Sequence, residues 1–274
     1  MSGVDVGQVA SLAGRDLGSR SCSYDERDAI LYALAVGAHA SELELVYERR
    51  LDVLPFYALP LGLWAVGECG SVGAYDAALT LHVGQELVLH APLPRQATFE
   101  AHAEVEAVWD KGSAALVDIG VHCDLFDARY TIFVPGGGGF GGERGSRPAA
   151  DERTGPPDVR TAFSTTSDQA ALYRLTGDRH PVHVDPEAAA AAGFDRPILH
   201  GLCTLGGVAL ALARATGHHP TEVDRLEARL SSPVLPGDDI AIQGWSSGGA
   251  CAFVATAADG AAAVTSGRVS FGRS

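Results

Sequence analysis

The stretch Pro197-Ile198-Leu199-His200-Gly201-Leu202-Cys203-Thr204-Leu205-Gly206-Gly207-Val208-Ala209-Leu210-Ala211-Leu212-Ala213-Arg214-Ala215 decides the fold. From Gly201 it is apolar on every side until Arg214, and a helix of that pattern is buried all round. Gly206 and Gly207 each cost about 1 kcal/mol against alanine inside a helix, a loss that close packing against sheet backbone is expected to offset. Downstream, residues 222–232, 239–246, 252–257 and 262–271 read as four antiparallel strands joined by Gly/Asp turns. A buried helix with antiparallel strands gives an α+β fold. The first amides of such a helix, Gly201 foremost, have no intrahelical acceptor and point outward.

Working upstream, residues 187–192 form a short alanine helix stopped by Gly193. Before it stands Thr176-Gly177-Asp178-Arg179-His180-Pro181-Val182-His183-Val184-Asp185-Pro186. Asp178 and His183 are five positions apart and share no regular helix face. Pro181 and Pro186 rigidify a tight excursion that brings them together. An aspartate after glycine at a helix end is commonly only a turn residue. The partnership with His183 and the amide of Gly201 makes Asp178 more than that. Acid, base and amide donor suit the addition of water to, or its removal from, a carbonyl-conjugated carbon.

A competing reading makes His180, His183 and His200 three imidazole ligands of a catalytic zinc. Pro181 denies His180-x-x-His183 its helical geometry, so no metal is expected. His200 reads as hydrogen-bonded near the helix start. His218-His219 read as a solvent-facing helix end, where positive charge suits the dipole.

In the first half, residues 1–24 read as a loose polar lead-in. A helix is expected from Asp25 through Val36, and Leu43-Glu44-Leu45-Val46-Tyr47-Glu48 alternates like a strand. Residues 54–64 are apolar but broken by Pro55 and Pro60, so no long helix fits there. Strands follow at 86–90, 97–108, 114–123 and 128–134, with a hairpin turn at Lys111-Gly112 and with His102 and His122 facing outward. The run 135–142 satisfies G-x-G-x-x-G literally, but no helix opens after it to receive a pyrophosphate. Domain boundaries follow: 1–142, a linker at 143–157, and 158–274.

Composition narrows the function further. Hydrophobic residues at 46% with 20% charged describe a globular chain. No apolar run reaches the length of a membrane span, and no secretory signal or peroxisomal tripeptide is seen. Five scattered cysteines form neither a disulfide framework nor a zinc spacing, so a reducing cytoplasm is expected. The net charge of −14 excludes nucleic acid as a partner. An anionic substrate then requires a local cluster of arginines, since Lys111 is the one lysine in the chain.

Two segments carry a family likeness. Tyr173-Arg174-Leu175-Thr176-Gly177-Asp178-x-x-Pro181-Val182-His183-x-Asp185-Pro186 and Gly193-Phe194-Asp195-Arg196-Pro197-Ile198-Leu199-His200-Gly201 resemble the R-specific 2-enoyl-CoA hydratases (hydratase 2) among the MaoC-like dehydratases. The family pattern has asparagine where this chain has His180. The resemblance implies two hot-dog units in one chain, each an antiparallel sheet around a helix, with the helix incomplete in the first. It implies reversible hydration of trans-2-enoyl-CoA to (3R)-3-hydroxyacyl-CoA, with Asp178 and His183 sharing the proton work and Gly201 as oxyanion donor. Substrate contacts are expected from Arg179, His180, Phe194 and His200. The first half holds no second Asp-x-x-x-x-His, so one site per chain is expected, with the first half housing the acyl tail. No cofactor is expected beyond the coenzyme A of the substrate, and a homodimer is the expected assembly. Two alternatives remain: a dehydratase acting on carrier-protein-bound intermediates, and a non-catalytic hot-dog module that binds acyl groups.

Overall fold

The computed structural model describes residues 4–145, 153 and 155–272. Most of the expected linker, residues 146–152 and 154, lies outside the described residues. Ten antiparallel strands form one sheet: β1 (Asp16–Tyr24), β2 (Leu81–Leu89), β3 (Ala97–Asp110), β4 (Ala114–His122), β5 (Phe126–Pro135), β6 (Val159–Ser164), β7 (Val223–Leu230), β8 (Asp239–Ser247), β9 (Ala250–Thr256) and β10 (Ala262–Phe271). Their order is β1-β3-β4-β5-β2-β7-β10-β9-β8-β6. The first five positions come from the first half of the chain and the last five from the second. The halves meet where β2 pairs with β7, Gly84 opposite Arg229 and Val88 opposite Arg225.

The helix Gly201–Thr216 lies in the curve of the second half, against β6, β8 and β7. All twelve residues from Leu202 to Ala213 are buried. It ends on Gly217 at φ +78°, where the N–H groups of Gly217 and His218 reach back to the carbonyls of Arg214 and Ala213. An antiparallel sheet wrapped around one helix is the hot-dog arrangement. In the first half the matching place is filled by three short pieces, Pro55–Tyr57, Ala58–Gly62 and Trp64–Ser71. Pro55 opens the first piece and Pro60 lies inside the second, and a proline inside a helix breaks its hydrogen-bond ladder. The Tyr130 hydroxyl donates to the Leu59 carbonyl at 2.6 Å and pins these pieces to β5.

The two helix glycines are explained by side chains, not by sheet backbone as the sequence suggested. A Cβ on Gly206 would stand 2.8 Å from Val36 Cγ1 and 2.9 Å from Tyr32 Oη. On Gly207 it would stand 2.1 Å from the ring of Phe163 on β6. Val36 and Tyr32 belong to the first half. They come from the expected helix Glu26–Ala35 and its end, opened by a capping box between Asp25 and Asp28. The Cys203 thiol and the Gln169 amide both donate to the Ala35 carbonyl, so this helix end is bonded into the second half.

Other expectations change. Residues 16–24 are not a loose lead-in but the edge strand β1, with Cys22 and Tyr24 its two buried residues. Leu43–Val46 is a helical turn rather than a strand, with Leu45 alone buried. His218 is half-buried, stacked on Phe271 at 4.1 Å and paired with Glu222 at 2.9 Å, because the helix has already ended. His102 and His122 do face outward, directly opposite each other across β3 and β4.

The glycine run wraps a carboxylate of its own. Asp110 accepts N–H bonds from Gly139, Gly112 and Gly141 at 2.7–2.8 Å, and these hold its carboxyl down to about 2. Amides that could have cradled a phosphate are thereby already used.

The packing at Gly207 generates a stability prediction. Gly207→Ala should destabilise the fold by about 1–3 kcal/mol, the usual cost of overpacking, because the enclosed Phe163 ring has little room to retreat. In a Phe163→Ala background the same change should cost almost nothing. Equal denaturation midpoints for wild type and Gly207→Ala would contradict the contact.

Candidate active site

The loop that carries Asp178 and His183 is built by caps. The helix Gln169–Tyr173 tightens into a 3-10 turn, Arg174–Thr176, that stops at Gly177 with φ +140°. Only glycine adopts that backbone readily, and a side chain there would face the Pro60 carbonyl of the first half. Asp178 Oδ1 then accepts the His180 N–H at 3.1 Å, and His180 Nδ1 accepts the Val182 N–H at 3.3 Å. The 3-10 turn Pro181–His183 follows, and Asp185 caps the helix Pro186–Ala191. Each turn is held by the residue before it, so the five-residue interval doubles back. His183 Nε2 comes to face Asp178 Oδ2 at 3.9 Å.

The imidazole roles follow from their partners. His183 Nδ1 lies 2.9 Å from the Ile198 carbonyl. A carbonyl only accepts, so Nδ1 is assigned the proton and Nε2 is left with a lone pair toward Asp178. Burial lowers the His183 pKa, and the Asp178 charge opposes that shift in part. His183 is thus neutral at pH 7. Its side chain is 11% exposed and that of Asp178 is 22% exposed.

His200 is fully buried at the N-cap of the central helix. Its Nε2 donates to the Asp178 carbonyl at 3.1 Å, and its ring stacks on His183 with centroids 3.7 Å apart. Burial, and then the neighbouring His183, push its pKa well down. Directly after His200 comes Gly201, whose N–H begins a sixteen-residue helix and has the positive end of the dipole behind it. The Gly201 amide is thus one peptide bond from the residue that contacts both Asp178 and His183.

Asp178, His183 and His200 offer ligand atoms that lie within 4.8 Å of one another. A metal would have to displace the bonds already made by His183 Nδ1 and His200 Nε2, or recruit nitrogens of two stacked rings. Rings 26° from parallel aim their in-plane lone pairs alongside each other rather than at a common point. The set suits proton handling better than coordination.

The remaining sequence candidates lie further out. His180 is exposed, its ring 6.1 Å from that of His183. Arg179 is exposed, and Phe194 is half-buried in the turn after Gly193. Neither makes a hydrogen bond or ring contact with the pair among the described residues. Two residues that sequence reading did not single out lie close by. Tyr173 is fully buried with its ring 4.8 Å from His200. His82, on β2 of the first half, packs against Tyr130; burial lowers its pKa, while the Gly84 carbonyl and the Asp178 charge oppose that shift.

Known proteins match both halves. The hydratase 2 N-terminal domain of the MFE-2 type matches residues 22–134, and the MaoC-like domain matches residues 149–266. The 3-hydroxyacyl-thioester dehydratase Y of Mycobacterium tuberculosis is 40% identical over 238 residues, covering 81% of this chain and 82% of its own. A peroxisomal enoyl-CoA hydratase 2 of Arabidopsis thaliana is 33% identical, covering 82% and 83%. A solved MaoC-like dehydratase from Phytophthora capsici superposes with a TM-score of 0.87 at 27% identity, covering 98% of each chain. With both halves matched in order and nearly the whole length superposed, this chain belongs to the MaoC-like dehydratase family, in its hydratase 2 branch, and is a hydro-lyase.

Proposed function

We propose that the chain hydrates trans-2-enoyl-CoA to (3R)-3-hydroxyacyl-CoA, and runs the dehydration in reverse, through Asp178, His183 and Gly201. The observation that carries this reading is the 3.9 Å gap between His183 Nε2 and Asp178 Oδ2 beside the first amide of the buried helix. A water oxygen at the usual distance of about 2.8 Å from each atom fits at the apex of that gap. His183 and Asp178 take the water proton between them as its oxygen attacks C3, and the same pair returns a proton to C2. Negative charge building on the thioester oxygen is met by the Gly201 N–H, a contribution of about 3 kcal/mol for a fixed donor of this kind. Because that amide is fixed before substrate arrives, little reorganisation accompanies the charge movement.

The acyl tail is assigned to the first half, where the broken helix Pro55–Ser71 replaces a continuous one. Arg179, exposed on the loop, is assigned to the phosphates of the coenzyme, with His180 and Phe194 lining the approach; the expected substrate contact from His200 is withdrawn, because its ring is fully buried behind His183. Neither metal nor separate cofactor enters this scheme, since the coenzyme arrives with the substrate. Five free thiols, four of them buried, support a reducing compartment such as the cytoplasm. No helix among the described residues is long and apolar enough to cross a membrane. The assembly we infer is a homodimer. Loss of enoyl-thioester absorbance, followed for coenzyme A and carrier-protein thioesters side by side with chiral analysis of the product, tests substrate and stereochemistry together.

Asp178→Asn and His183→Ala should each reduce turnover to near background, and the double variant should be scarcely worse, as for groups that act as a unit. Substantial turnover in either single variant, at matched circular dichroism, would displace the pair from this role.

The rate should also report the protonation of His183. Its basic form is present above its folded-state pKa, which burial lowers, and is lost as pH falls through that value. The acidic limb of kcat/KM should accordingly lie below about pH 6.5, the unperturbed histidine value. His180 is one of the charges that hold His183 down. In His180→Asn the amide can still cap Val182 and that lowering influence is removed, so the limb should move upward in pH. Superimposable profiles for the two proteins would remove His180 from the chemistry.

A further inference from the structure

Two buried polar groups beside the site have no partner, and they are chemically complementary. His200 Nε2 donates to the Asp178 carbonyl, and the ring is held neutral by burial, so Nδ1 is a bare acceptor. It is enclosed and unpaired. Tyr173, likewise fully buried, carries a hydroxyl without a partner. Burial keeps that hydroxyl protonated and hence a donor. The two rings are in contact, centroids 4.8 Å apart at 48°. The other ring neighbour, Tyr32, has already given its hydroxyl proton to the Phe56 carbonyl at 3.0 Å. A buried donor and a buried acceptor left unpaired on two touching rings are both unfavourable, and a hydrogen-bonded link between them would satisfy both.

We propose that Tyr173 is a positioning residue for this reaction: its hydroxyl donates toward His200 Nδ1, directly or across one enclosed water, and locks the His200 ring. The consequence reaches three groups at once. His200 holds the Asp178 backbone through Nε2, supports the His183 ring by stacking, and precedes Gly201 in the chain. A ring free to rock would loosen carboxylate, base and oxyanion donor together. Arg174 is the competing donor, because its Nε is also buried and unpaired. The ring contact favours Tyr173. The assignment of roles to Asp178, His183 and Gly201 rests on the proposed hydration, whereas the bond itself does not.

The test uses the full chain with 15N-labelled histidine, in wild type, Tyr173→Phe and Arg174→Gln, alongside kcat and KM. Wild-type His200 should appear as the neutral Nε2–H tautomer, with Nδ1 displaced in the direction of a hydrogen-bonded acceptor. Tyr173→Phe should lose that displacement and lower kcat about three- to tenfold, the loss expected for one neutral hydrogen bond, with KM within about twofold. Arg174→Gln should retain the displacement. A free-acceptor frequency in the wild type overturns the proposal outright, and this reading stands even if Tyr173→Phe does not fold. Loss of the displacement in Arg174→Gln but not in Tyr173→Phe assigns the bond to arginine and overturns it as well. A changed spectrum with unchanged kcat refutes the positioning role. Absence of hydration in the wild type would instead refute the proposed function, leaving the spectrum to judge the bond.

Discussion

A buried imidazole sets the terms for this site. His200 sits where the central helix begins, wholly out of water, and desolvating a charged ring there costs more than the nearby Asp178 carboxylate returns. It is therefore neutral, and a neutral imidazole has one N–H to place. That N–H goes to the carbonyl of Asp178, twenty-two residues earlier in the chain, and so fastens the loop of Asp178 and His183 to the helix start. The stacking of His183 on the same ring fastens the other end of the loop. Loop, base and helix amide are held by one side chain, and that side chain is fixed because the helix behind it is buried along its length.

Burying that helix imposes its own demand. The sheet and the helix Glu26–Ala35 approach closely only because positions 206 and 207 carry no side chain. Val36 and Tyr32 from the first half fill the space against Gly206, Phe163 of β6 fills that against Gly207, and the Ala35 carbonyl is bonded by Gln169 and Cys203. The first half thus supports the helix Gly201–Thr216 rather than repeating it. Its own helix is broken by Pro55 and Pro60, and its ring of Tyr130, Leu59 and Pro60 lies toward Gly177 and His82. A double hot-dog in which one unit keeps the helix and the other gives it up has one helix N-terminus to offer as an oxyanion site. In the proposed reaction this is why one chain has one site.

Much of this was legible in the sequence where apolar pattern and turn chemistry agree. The all-apolar helix after His200, the strands of the second half, and the doubling-back of the loop at two prolines follow directly from residue types. Residues 16–24 were not legible as a strand, because an edge strand with only two of nine residues buried carries little hydrophobic alternation. Leu43–Val46 misled for the opposite reason: a short alternating run has too few residues to separate a strand from one helical turn. The packing partners of Gly206 and Gly207 could not be read, since a glycine announces closeness without naming its neighbour. His82 carried no signal either, because its packing against Tyr130 depends on how the strands of the sheet are ordered. Tyr173 stood inside a recognisable motif, but its relation to His200 depends on burial that no local pattern encodes.

The central claim is that one pair of side chains, on one face of the substrate, handles both proton transfers. The most direct measurement is hydration of a short trans-2-enoyl-CoA in deuterium oxide, with the relative configuration at C2 and C3 of the product read by proton NMR coupling. Delivery of oxygen and deuteron from the Asp178–His183 side predicts a single diastereomer, that of syn addition. The anti diastereomer, or an equal mixture of both, would require a proton donor on the opposite face and would contradict the account.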